Sequence, residues 1–189
     1  MIRLRFFALA LAAVLGGPRF ACADWLLVPF AGGSGRIETG FFDLDDTVSG
    51  AHASYGAGLT FVPDWMLGVD VEVSWTPSVF TGGNLIESSR VVTATGGLVV
   101  TLPKRWSPAV RPYITLGGGL VHVNIRDVAG IFPVDTARGI ISAGAGAWIP
   151  IASRIGARVS VRYLHGGSAD ATNRFKMWQA AGGITVQVW

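Results

Sequence analysis

The sequence predicts an all-β protein, an eight-stranded antiparallel up-and-down transmembrane β-barrel. Three observations carry that prediction. The 189-residue chain opens with an export-type leader, its later apolar residues alternate with small and polar ones, and the connections between alternating stretches are short at one end and long at the other. In hydrocarbon every backbone N–H and C=O must find a partner inside the protein, which leaves helices and closed barrels as the spanning structures. A spanning helix needs about 20 consecutive apolar residues. No run after Leu15 reaches that length, although the mean hydropathy is +0.47. The barrel is what remains.

The leader comes first. Arg3 and Arg5 precede the apolar run FFALALAAVLGG, and Ala21 and Ala23 supply the small residues that a signal peptidase needs before Asp24. Residues 1–23 are therefore expected to be removed, leaving a single barrel domain over 24–189. Arg19 and Phe20 stand where a lipobox requires small aliphatic residues, which argues against lipidation of Cys22. The leader holds three of the 15 basic residues and the one cysteine. The remaining chain thus carries 12 basic and 12 acidic residues and no thiol. That balance gives no reason to expect nucleic acid as a partner, and without disulfides the fold must rest on hydrogen bonding and packing.

Eight strands follow in order. The first, Trp25–Ser34, contains Pro29, which a sheet tolerates only at an edge or a bulge. The second, His52–Val62, sets Tyr55, Ala57, Leu59 and Phe61 opposite Ser54, Gly56, Gly58 and Thr60. The third is WMLGVDVEVSW, Trp65–Trp75: Leu67, Val69, Val71 and Val73 share a face with both tryptophans, while Gly68, Asp70, Glu72 and Ser74 share the other. A period of two marks a strand with unlike faces. The fourth, Ser89–Leu102, opposes Val92, Ala94, Leu98 and Val100 to Thr93, Thr95, Gly97 and Thr101. The fifth and sixth, Val110–Asn124 and Arg138–Pro150, carry the glycine-rich pieces LGGGL and AGAGA. Neither piece continues into the Gly-Lys-Ser/Thr of a phosphate-binding loop. Their glycines make room for large neighbours instead. The seventh, Arg154–His165, sets Ile155, Ala157, Val159, Val161 and Tyr163 opposite Arg154, Gly156, Arg158, Ser160 and Arg162. The eighth is Met177–Trp189.

Pro63–Asp64 and Ile151–Ser153 are tight turns and Pro103–Ala109 a moderate one, whereas Gly35–Ala51, Thr76–Ser88, Ile125–Ala137 and Gly166–Lys176 are long. Short periplasmic turns and long external loops are the plan of a bacterial outer-membrane barrel. The third strand fits the lipid thickness. Trp65 to Trp75 is ten steps of about 3.3 Å, and a tilt of about 40–45° projects this onto roughly 23–25 Å, the height of the apolar band between aromatic girdles. Trp65 and Trp75 are thus expected at the two membrane interfaces.

The other face of the wall must line the lumen. The third and seventh strands lie on opposite walls of an eight-stranded barrel, and the depths of Asp70 and Glu72 overlap those of Arg158 and Arg162. An ion-pair network across the lumen is expected, since pairing offsets the desolvation of buried charge. It serves either as polar packing or as the gate of a narrow pore. Other chemistry is thin. His52, His122 and His165 show no metal-ligand spacing, and FFDLDDT, with Asp43, Asp45 and Asp46, departs from a calcium loop after three positions. No metal and no cofactor are expected. The sequence HGGSAD offers His165, Ser168 and Asp170 as a base, nucleophile and acid near the lipid headgroups, the arrangement a lipid esterase needs. A third arrangement, a soluble lipocalin-like barrel with an apolar ligand inside, would invert the faces.

The whole chain after the leader resembles the OmpA/OmpX-type outer-membrane β-barrel group, through its overall plan, VSVRYL (Val159–Leu164) and the ending GGITVQVW. The resemblance implies a bacterial outer-membrane location, lipid as surroundings, a monomer, and recognition of the terminal aromatic Trp189 by the barrel-assembly machinery. Trp189 falls on the opposite face from Ile184, Val186 and Val188, a departure from the group's alternating ending. HGGSAD also resembles the histidine–serine site of outer-membrane lipid A deacylases, but lacks their His-x-Ser-Asn spacing. Such resemblance implies fold and place, and leaves the roles open between envelope structure, surface contact, narrow pore and lipid hydrolysis.

Overall fold

Strand alternation this regular forces a sheet to present one face to each medium, and closing the sheet removes its edges. The structure, a computed structural model, describes residues 23–39, 46–48, 51–63, 66–77, 86–103, 105–107, 109–127, 134–167 and 174–188. Nine strands occur among them: β1 (Ala23–Thr39), β2 (Asp46–Val48), β3 (His52–Pro63), β4 (Leu67–Pro77), β5 (Ile86–Thr101), β6 (Arg111–Asp127), β7 (Val134–Pro150), β8 (Ile155–Gly167) and β9 (Arg174–Gln187). Every neighbouring pair from β3 to β9 is antiparallel, and β1 pairs with both β3 and β9, closing an eight-stranded barrel. The ninth strand, β2, pairs only with the far end of β1, Ile37↔Val48 through Thr39↔Asp46. It extends one hairpin beyond the barrel.

The eight predicted strands all form, but those with long connections run further than the alternation suggested. β1 continues from Ser34 to Thr39, and β6 and β7 each have 17 residues. Part of the expected first long connection is therefore β1 and β2. The extra residues are polar or mixed, so period two fades there, while the ladder continues because neighbouring backbones still pair. Pro29 lies inside β1. The ladder to β3 runs through it, Pro29↔Ala57, whereas Cα partners toward β9 pass from Leu27↔Val186 to Phe30↔Gly183. The missing N–H is taken up on the β9 side. The β3–β4 turn, expected at Pro63–Asp64, ends at Met66, whose carbonyl accepts from the Thr101 amide at 2.8 Å.

Side chains follow the pleat. In β4 burial alternates strictly from Leu67 to Thr76, with Val71 58% exposed and Asp70 3% exposed. The outward apolar residues include Leu27, Leu59, Val73, Leu98, Ile114, Leu116, Leu120, Ile141, Val161 and Ile184, a continuous belt around the barrel. A belt of that extent is far larger than water tolerates on a monomer. Inward residues fall into layers. Val91, Val121, Val123, Ile140, Leu164, Phe175 and Met177 form an apolar cluster at the end with long connections. Val62, Val99, Tyr113 and Trp148, with Leu26 against them, form a second at the short-turn end. Charge lies between.

Candidate functional site: the lumen ion-pair layer

An eight-stranded barrel is just wide enough for side chains to fill, so residues facing each other across it must fit in both size and charge. β4 and β8 stand four strands apart in the closed order and thus on opposite walls. Their inward residues meet. Arg158 Nη2 lies 2.9 Å from Glu72 Oε2, and Arg162 Nη2 lies 2.8 Å from Asp70 Oδ2 and 3.2 Å from Glu72 Oε2. All four side chains are nearly inaccessible. Two carboxylates and two guanidiniums make a neutral layer, the condition under which buried charge is tolerable.

Neighbouring strands complete the coordination. Arg162 Nη1 donates to Thr95 Oγ1 at 2.8 Å, and Thr115 Oγ1 donates to Asp70 Oδ1 at 3.3 Å. Arg158 Nε donates to the Tyr113 hydroxyl at 2.7 Å, with its guanidinium carbon 5.4 Å from that ring's centroid. Arg158 Nη1 bonds no partner. Tyr113 stacks in turn on Trp148, centroids 4.0 Å apart and planes at 20°. Gly146 allows this: a Cβ there would stand 2.6 Å from Tyr113 Cζ. Toward the long connections, hydroxyl and amide pairs continue the polar zone, Ser74 with Thr93 at 2.6 Å, Ser34 with Thr76 at 3.1 Å, and Gln179 donating to Ser54 at 3.4 Å.

Alternation alone had pointed to the four charged residues, but not to Thr95, Thr115, Tyr113 or Trp148 as their surroundings. Tyr113 and Thr115 share the inward parity of β6; the following LGGGL interrupts the alternation that would have revealed it. The outward aromatics gather at two levels. Tyr55 and Trp75 lie 6.5 Å apart and Tyr163 and Trp178 4.8 Å apart toward the long connections, while Trp25 and Phe61 lie 5.0 Å apart near the short turns. Trp65 and Trp189 lie outside the described residues.

The other candidates are not drawn together. His165 is on the outer wall, stacked on Tyr163 at 6.2 Å, and Ser168 and Asp170 lie outside the described residues, as do the side chains of Asp43, Asp45 and Asp46. Among the described residues no group of three His, Asp or Glu side chains could hold a metal. The lipocalin arrangement needs an apolar lumen and a polar exterior; Asp70 inside and Val71 outside are the reverse.

A closed eight-stranded barrel with an apolar belt, paired aromatics at two levels and a neutral ionic centre defines the class of small transmembrane barrels. Comparison with solved structures gives the same fold. Neisserial surface protein A superposes with a TM-score of 0.66 at 11% identity, covering 87% of this chain and 98% of that one. The attachment invasion locus protein Ail of Yersinia pestis gives 0.57 at 16% identity over 87% and 98%. The N-terminal barrel domain of Pseudomonas aeruginosa OprF gives 0.55 at 15% identity over 87% and 96%. No family model and no curated protein matches the sequence. The likeness is one of fold.

Proposed function

We propose that this chain is a non-conducting barrel of the bacterial outer membrane that displays its long connections at the cell surface. The observation that carries the reading is the layering of the lumen. Phe175, Leu164, Met177 and the valines around them are fully buried above the ion pairs, and Val62, Val99, Tyr113 and Trp148 close the space below. An ion would have to cross two dry layers and a neutral salt-bridge cluster. The charged centre therefore acts as packing that fixes the register of opposite walls, and a narrow-pore role is disfavoured.

Strand length supports display. A 17-residue strand such as β6 spans about 53 Å, or about 40 Å along the membrane normal at a 40° tilt, against an apolar band of about 25 Å. The excess of about 15 Å continues the wall beyond lipid on the side of the long connections. In this reading residues 1–23 are the cleaved leader, the barrel is a monomer in lipid, and Trp189 is its assembly signal.

The test is single-channel recording from purified, folded protein in planar bilayers, with folding verified by a heat-modifiable gel shift. No conductance steps are expected. Reproducible unitary currents, abolished or altered in Arg158→Ala/Arg162→Ala, would reinstate the gate and overturn the sealed barrel.

A further inference from the structure

Two of the shorter connections stand side by side at the barrel rim, because β6 and β7 pair from Arg111↔Trp148 onward. One joins β5 to β6 and the other joins β7 to β8, so their centres lie two strand spacings apart, about 10 Å. Both are internally bonded. The Trp106 amide donates to the Pro103 carbonyl at 2.9 Å, and the Ser107 hydroxyl donates to the Val110 carbonyl. In the second turn the amides of Ile151 and Ala152 share the Ile155 carbonyl, at 3.0 and 2.8 Å. These turns hold large apolar groups away from the core: Trp106 is 64% and Ile151 71% exposed. Arg105 and Arg154 are exposed in the same turns, and the Arg105 guanidinium carbon lies 5.7 Å from the Trp106 ring centroid. Neither guanidinium meets a carboxylate among the described residues. The turn sequences LPKRWSPAV and PIASRI contain no acidic residue, and Asp24 belongs to β1, on the wall opposite β6. Outward Leu102, Val110 and Ile149 carry the apolar belt right up to this rim. The two turns therefore sit where hydrocarbon gives way to headgroups.

We propose that this half of the rim is a binding surface for an anionic glycerophospholipid of the leaflet at the short-turn end. The inference rests on the membrane orientation proposed above, in which that leaflet faces the periplasm. Indole is amphipathic and favours the membrane interface, and a guanidinium matches phosphate oxygens with two parallel hydrogen bonds. Trp106 and Ile151 enter the boundary between acyl chains and headgroups, while Arg105 and Arg154 take the phosphate from two sides. An arginine over an aromatic ring keeps its N–H donors for such a partner. Charge complementarity selects the occupant. A zwitterionic lipid brings its own cation to a rim that already carries two, whereas an anionic lipid brings none. Each basic residue near an anionic surface is worth about fivefold in partitioning, so two exposed arginines set an upper bound of about 25-fold at low salt.

The test places the full folded barrel in phosphatidylcholine vesicles, at low salt, with a minor fraction of chain-brominated lipid. The brominated lipid is phosphatidylglycerol in one series and phosphatidylcholine in the other. Bromine quenches indole emission on contact, and the Trp106 share is the difference between the wild type and Trp106→Phe. Quenching of Trp106 should be at least about fivefold more sensitive to the anionic lipid. The preference should fall toward equality in Arg105→Gln/Arg154→Gln, whose exposed positions leave the fold intact. Equal quenching by both lipids in the wild type overturns the anionic-lipid site and leaves the barrel in its membrane. A preference that survives undiminished in the double variant overturns the role of the two guanidiniums. If Trp106 escapes both lipids while the other indoles are quenched, the rim faces water, and an acidic protein replaces lipid as its partner. If no emission responds to either lipid, the membrane reading falls and this inference falls with it.

Discussion

Replacing Arg162 with Gln isolates what the ionic layer contributes. In the folded barrel Arg162 makes both ion pairs of its end of the cluster, at 2.8 Å to Asp70 and 3.2 Å to Glu72, and a bond of 2.8 Å to Thr95. Without it Glu72 keeps Arg158 at 2.9 Å, but Asp70 retains only the 3.3 Å bond from Thr115. Its carboxylate stays buried with no cation in contact with it. Leaving one charge of a buried pair uncompensated costs about 3–5 kcal/mol. With a urea slope of about 2 kcal/mol/M, the unfolding midpoint from lipid vesicles should fall by roughly 1.5–2.5 M. Arg154→Gln is the control, an exposed arginine on the same chain, and should move stability by less than about 0.5 kcal/mol. Adding Asp70→Asn to Arg162→Gln removes the stranded charge and should recover about 1–3 kcal/mol, the coupling of residues in direct contact. The assay is tryptophan fluorescence against urea, paired with gel mobility of unheated samples. A midpoint shift below about 0.5 M, or additive single and double variants, would show that the cluster is solvated and the reasoning wrong.

Other consequences can be checked on the same preparation. Val71→Arg puts a charge on the lipid-facing wall near mid-depth and should cost about 2–4 kcal/mol; a nitroxide at Val71 should be quenched by dissolved oxygen and one at Asp70 protected, and the opposite pattern would invert the barrel. Tyr113→Phe strands the Arg158 Nε donor and should cost about 1–3 kcal/mol in the same urea experiment. Gly146→Ala should cost at least about 1–3 kcal/mol, because a Cβ there would press on the Val159 carbonyl oxygen of the neighbouring strand as well as on the Tyr113 ring, visible as a changed near-ultraviolet dichroism. Ser168→Ala in the native host should leave phospholipid and lipid A profiles unchanged; an altered acyl pattern would establish a hydrolase.

Lumen architecture explains how the ion pairs are framed by their neighbours. Glycine at inward positions and bulk at the facing ones is a packing solution: Gly146 receives Tyr113, and a Cβ at Gly56 would collide with the Phe30 ring. Such pairs lock neighbouring strands in one register, because a slip of one residue would send Asp70 to lipid and Val71 to the lumen.

Much of this was legible in one dimension. The faces of β4 and β8 can be read residue by residue, since strand parity depends only on the local chain, and the same parity sends Asp70, Glu72, Arg158 and Arg162 inward together. Hydropathy and connection length then restrict the closed form, because lipid forbids unpaired backbone. What the chain order could not supply was contact across the barrel. That Arg162 bridges Asp70 and Glu72 while Arg158 takes Glu72 and Tyr113 depends on strand tilt and on the stagger that closes β1 against β9, quantities shared by all eight strands. The extension of β1, β6 and β7 and the short β2 also escaped the pattern, because backbone pairing holds them where no hydrophobic face is needed. The basic and apolar rim made by the β5–β6 and β7–β8 turns exists only because β6 and β7 pair and bring the two turns side by side.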